Sequence, residues 1–180
     1  MIKISKFIGP KGLSNLEKII DKRRISQKVN VSIVSKILKD IKKNKNKSVI
    51  KYEKKFSKNN KIKPTQSEIN QAIKSLDSKI KKAIDYACSR IFKYHSLQKV
   101  KDIKYRDKLN NILQYKSIPI SKVGVYVPAN LPSTLLMNVI PAKIAGVKKI
   151  ILASPRSNKK LNPAVIYAAR KLGIKEIYSI

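Results

Sequence analysis

Residues 122–180 read KVGVYVPANLPSTLLMNVIPAKIAGVKKIILASPRSNKKLNPAVIYAARKLGIKEIYSI, and their pattern decides the fold. Three short apolar or β-branched runs, 123–127, 149–153 and 176–180, alternate with two segments of helical spacing, 132–146 and 163–173, that are set off by turn residues. Such alternation predicts an α/β fold, a β-α-β-α-β unit whose strands lie parallel and whose helices cross over the sheet. Ligands of sheets like this bind beyond the carboxyl ends of the strands. The turn at 128–133, which leaves the first strand and enters the first helix, is therefore the first place to look for a site.

Upstream of this unit the chain is mostly helical. Residues 2–8 have strand character, Gly9-Pro10 reads as a turn, and 13–20 as a short helix. Val34, Ile37, Leu38 and Ile41 share one helical face, the Lys-Asn run at 42–47 reads as a polar break, and a second short helix passes through Val49, Ile50, Tyr52 and Phe56. Thr65-Gln-Ser-Glu68 has capping-box spacing. The helix it opens is split at Leu76-Asp77-Ser78 by a fresh N-cap, giving helices over 67–76 and 78–98. Residues 113–120 read as a strand or hairpin arm. The expected domain boundary lies near Ser121, with a helical region over 1–121 and the parallel-sheet region over 122–180.

Composition bounds the function more weakly. With 42 Lys+Arg against 10 Asp+Glu the formal charge is +32, which on its own suggests nucleic acid as a partner. Against that, the only arginines are Arg23, Arg24, Arg90, Arg106, Arg156 and Arg170, and the lysines are spread along the whole chain beside many asparagines and isoleucines. No nucleic-acid motif and no Trp is present. A solvated lysine-rich surface is the expectation, with no nucleic-acid partner. One cysteine, Cys88, excludes an internal disulfide and sits on an apolar helical face, as a packed thiol does. No segment has the length of apolar sequence that a membrane span or signal peptide needs, so the expected setting is a soluble cytoplasmic one without a membrane partner.

The candidate site residues follow from the first turn. Its helix N-terminus favours anions and oxyanions, and Ser133 or Thr134 could cap it behind Pro132. The residues alone leave a binding turn and a plain βα turn both open, because no G-x-G-x-x-G accompanies it. Tyr126 closes the first strand, facing either the sheet surface or the crevice. Pro141 must bend its helix unless the helix restarts with Asn138 as cap. Lys143 could reach a phosphate. His95, the only histidine, has no acidic or cysteine cluster around it in sequence and reads as a packing or hydrogen-bonding residue.

At these residues the chain resembles the histidinol dehydrogenase family. The resemblance rests on Val123-Gly-Val-Tyr-Val-Pro128 followed by Leu131-Pro-Ser-Thr-Leu-Leu-Met-Asn-Val-Ile-Pro-Ala-Lys-Ile-Ala-Gly-Val147. It extends to Tyr52 and Phe56, to Ile91, Tyr94, His95 and Gln98, and to Tyr167-Ala-Ala-Arg170, Gly173 and Glu176-Ile-Tyr178. It implies an enzyme related in fold to the aldehyde dehydrogenases, with incomplete Rossmann-like domains. Such an enzyme oxidises L-histidinol to L-histidine through the aldehyde with NAD and zinc, as a homodimer. Tyr126 matches the family's tyrosine that contacts NAD. The family's turn after the proline is longer and glycine-rich, where this chain has Ala129-Asn130-Leu131. Family members are more than twice this length, and their zinc ligands and acid-base pair fall beyond residue 180. The expectation is thus an N-terminal portion, a truncated gene product or fragment that is inactive alone, with no catalytic or metal-ligating residue of its own. Two alternatives stand beside it. One is another aldehyde dehydrogenase-type NAD enzyme, in which Asn130 would donate to an oxyanion; the other is a basic nucleic-acid-binding protein.

Overall fold

The structure is a computed structural model and describes residues 9–180. The expected strand at 2–8 lies outside the described residues. The backbone forms two compact units, Met1–Lys55 and Phe56–Ile180.

In the first unit, helix α1 (Gly9–Asn44) runs for 36 residues and is followed by α2 (Asn46–Phe56). The expected turn at Gly9-Pro10 instead opens α1, since proline is tolerated in a helix's first turn. The expected polar break at 42–47 shrinks to Lys45, whose φ of 50° interrupts the helix. Lysine is a good helix former, so a lysine run is no barrier to helix. Asp40 anchors the corner: its carboxylate accepts from Asn44 Nδ2 at 2.6 Å and from Lys51 Nζ at 3.2 Å. The Asn44 amide first, then Tyr52 and Ser48, hold the Asp40 carboxyl well below the usual carboxylate range.

The second unit begins with α3 (Gln66–Ser75) and α4 (Ser78–Ser96). The capping box forms as the spacing predicts, with Glu68 N–H donating to Thr65 Oγ1 at 3.2 Å and Thr65 N–H to Glu68 Oε2 at 2.9 Å. Asp77 caps α4 by accepting from Lys79 N–H at 2.6 Å. Strands β1 (Ile103–Arg106) and β2 (Ile112–Tyr115) then form an antiparallel hairpin. The arm expected at 113–120 is thus shorter, and it pairs with β1, an element with no counterpart among the expected ones.

Next come β3 (Lys122–Tyr126), α5 (Pro132–Ile144), β4 (Lys149–Ala153), α6 (Pro163–Lys171) and β5 (Glu176–Tyr178). The strands lie parallel in the order β3-β4-β5, with Val125 opposite Leu152 and Leu152 opposite Ile177. Those three side chains, with Val127, form the sheet's contribution to the core. Leu135, Leu136, Val139 and Ile140 of α5, and Val165, Ile166, Ala168 and Ala169 of α6, cover them. Helix α4 packs on α5 and α3 on α6, so Ala72, Leu76 and Ile84 extend the same core into a further helical layer. Helix α5 lies between sheet and α4, which explains why its apolar residues occupy more than one face.

The carboxyl end of β5 is joined by the chain's own residues 59–62. Ser179 N–H donates to the Ile62 carbonyl at 2.6 Å, Ser179 Oγ to the Lys61 carbonyl at 2.7 Å, and Asn59 Nδ2 to the Ser179 carbonyl at 2.8 Å. An apolar edge strand needs such cover. Pro141 sits within α5, and Asn138 does not restart the helix: its Nδ2 donates to the Thr134 carbonyl at 2.7 Å within the same helix.

Candidate functional site

Alternation along β3 turns Val125 and Val127 inward and leaves Lys122, Gly124 and Tyr126 on the face away from the helices. Tyr126 is 62% exposed although it stands at the end of a sheet strand. Gly124 lies on the same face two residues earlier, and a Cβ built there would meet nothing within 4 Å. The backbone beside the Tyr126 ring is therefore open to close approach.

Beyond Tyr126 the chain turns tightly. Leu131 N–H donates to the Pro128 carbonyl at 3.2 Å, with Ala129 and Asn130 at the corner. Neither corner residue has a positive φ, so this turn closes without glycine. Helix α5 starts at Pro132, and its cap position is Leu131, which offers no side-chain hydrogen bond. The expected caps Ser133 and Thr134 are not used, because proline at the first helical position places Leu131, not a hydroxyl residue, at the boundary. By contrast Asn162 caps α6 fully, accepting from Ala164 and Val165 N–H at 3.0 and 3.1 Å. A helix start with no side-chain cap thus follows the exposed Tyr126 at the carboxyl end of the sheet, and such a start favours negative charge.

The other residues singled out in sequence take structural parts. Lys143 Nζ donates to the Leu172 carbonyl at 2.8 Å, tying α5 to the end of α6 rather than reaching a phosphate at the turn. His95 Nδ1 lies 2.6 Å from Gln98 Oε1, and its ring meets Tyr94 edge-on at 5.3 Å. Cys88 is half-buried against the core. Asn130 is exposed at the turn. Among the described residues no group of three or more His, Cys, Asp or Glu is placed to hold a metal ion, and no helix is long and apolar enough to cross a membrane.

A residue not singled out in sequence proves central. Arg156, three residues past β4, donates from Nε to Ser179 Oγ at 3.2 Å and from Nη1 to Glu68 Oε1 at 3.1 Å. Its side chain is only 8% exposed. It joins the start of α3 to the end of β5. The available signal was its type, since an arginine where lysine is the chain's default cation points to a planar, multiply bonded role.

The family model described as histidinol dehydrogenase matches residues 20–180. This chain belongs to the histidinol dehydrogenase family. It is 53% identical over 168 residues to the histidinol dehydrogenase of Pelagibacter ubique, covering 92% of this chain and 39% of the relative. It is 40% identical over 170 residues to that of Campylobacter jejuni, covering 91% and 39% respectively. The crystal structure of histidinol dehydrogenase from Elizabethkingia anophelis superposes with a TM-score of 0.77 at 36% identity, over 82% of this chain and 36% of that one. The chain therefore spans about two fifths of the length of the curated relatives it matches. The family is one of oxidoreductases, and this match decides against the aldehyde dehydrogenase reading of Asn130.

Proposed function

We propose that this chain supplies the cofactor side of a histidinol dehydrogenase, an enzyme that oxidises L-histidinol to L-histidine through the aldehyde with NAD. The observation that carries this reading is Tyr126, an exposed ring at the carboxyl end of β3, followed at once by the uncapped start of α5. In this reading residues 122–180 are the first part of a Rossmann-like NAD domain, and residues 1–121 are the helical region that precedes it. NAD, when bound, supplies the acceptor for hydride. The chain's own residues bind and orient it: Tyr126 offers its ring as a packing surface, Gly124 leaves room beside that ring, and the first turn of α5 offers N–H groups to the phosphates.

Zinc does not fit the described residues, which bring together no sufficient donor set. Its ligands and the acid-base pair would come from the part of the family fold that this chain does not span. In this reading the chain acts as part of a full-length homodimeric enzyme.

A chimera tests this reading. The chain replaces the stretch it aligns with in the Pelagibacter ubique relative, and NAD reduction is followed with L-histidinol as substrate. The expected outcome is histidinol-dependent NADH formation that Tyr126→Ala lowers by about tenfold or more. A folded chimera that reduces no NAD with histidinol would overturn the proposal.

A further inference from the structure

Arg156 satisfies Glu68 and Ser179 with Nη1 and Nε, yet its Nη2 is buried and has no hydrogen-bond partner among the described residues. A guanidinium donor left in that state is unfavourable, so it marks a place where an acceptor belongs. The same residue lines a cleft of about 430 Å³ between α3 and the loop that joins β4 to α6. Gln71 and Ser75 stand on the α3 side, Ser157, Lys159 and Lys160 on the loop side, and Leu161 and Pro163 give one wall an apolar character.

The loop is a built feature. Ser157 and Lys160 exchange N–H···O bonds at 3.0 and 2.9 Å, with Asn158 and Lys159 at φ 50° and 62° between them. That is a two-residue turn of the type that usually selects glycine, here holding two lysines on the cleft wall. The one acidic group in the wall, Glu68, is already engaged. Its Oε2 accepts from Thr65 N–H and Oγ1, and its Oε1 from Arg156. Arg156, Lys159 and Lys160 against Glu68 leave two positive charges in excess.

We propose that this cleft binds a small phosphate monoester, with the dianionic phosphate between Arg156, Lys159 and Lys160 and the organic part against Leu161 and Pro163. Two excess charges match a dianion, and a planar guanidinium is suited to phosphate oxygens. Nη2 is covered in the free chain, so admitting the oxyanion requires the cleft wall to rearrange, and Lys159 and Lys160 are the exposed cations of that wall. The site is independent of Tyr126 and of the dehydrogenase reading.

The test is an amide NMR titration of the full chain with sodium phosphate, at constant ionic strength made up with chloride. Saturable shifts are expected on Gln71, Ser75, Ser157, Lys159, Lys160 and the Arg156 Nε–H, with Lys159→Ala/Lys160→Ala weakening the affinity by about tenfold. Lys104→Ala/Lys108→Ala, on the β1–β2 hairpin and outside the cleft lining, should change it less than about twofold. Two results would overturn the proposal: shifts that spread over the lysine-rich surface without saturating, or an affinity that the Lys159/Lys160 variant leaves unchanged.

Discussion

Leu152→Ala is expected to lower the unfolding free energy of the parallel-sheet unit by about 2–5 kcal/mol, the range for emptying a buried leucine site. Leu152 is fully buried in the middle strand, in register with Val125 on one side and Ile177 on the other. Helices α5 and α6 close over it, so the lost methyl groups leave a space that a packed sheet cannot collapse into. Its neighbour Ile151 points to the opposite face and is only partly buried. Ile151→Ala should therefore cost clearly less, because little of its surface is removed from water by the helices. Urea unfolding of the two variants checks this, with midpoints shifted and slopes unchanged. Equal losses at 151 and 152 would contradict the one-sided cover of this sheet.

Arg156→Met is expected to cost about 2–3 kcal/mol, below the range for a fully buried pair because Glu68 retains 27% exposure. The change removes the tie from α3 to the end of β5 while keeping most of the packing volume. It should also change the acid response. The Glu68 carboxyl is held below its ordinary value, first by the Thr65 backbone N–H and next by Arg156. A lowered folded-state pKa contributes stability above the unfolded value near 4.5, and that contribution is lost as pH falls through the folded value. Stability measured from roughly pH 7 down to pH 3 should thus fall less steeply in Arg156→Met than in the parent chain, keeping only the part due to Thr65. Arg170→Met, at an exposed position, serves as the control and should stay within about 0.5 kcal/mol. Parallel pH profiles for parent and Arg156→Met would show that the pair contributes nothing.

The parts of the fold legible in sequence are those where one local signal suffices. β3, β4 and β5 stood out because each is a short apolar or β-branched run set between turn signals. The caps at Thr65 and Asp77 were legible because a cap needs only its own side chain and the next few backbone N–H groups. β1 was not legible, since all four of its residues are exposed and no buried face imposes alternation on them. The full length of α1 was not legible, because Gly9-Pro10 carries a turn signal and the apolar spacing at 13–20 stands apart from the helical face at 34–41. Of the candidate site, Tyr126 was legible through the resemblance of its strand and turn. Arg156 was not, because its partner Glu68 lies 88 residues away in sequence and only the folded sheet brings them together.

The most direct measurement for the central claim is a titration of the 180-residue chain with NAD, followed by NMR on the tyrosine rings and repeated with Tyr126→Ala. Saturable binding is expected, with the Tyr126 ring and the first turn of α5 shifting and the variant weaker by about tenfold. No binding by the folded chain, or equal binding by Tyr126→Ala, would contradict a cofactor site at the carboxyl end of β3.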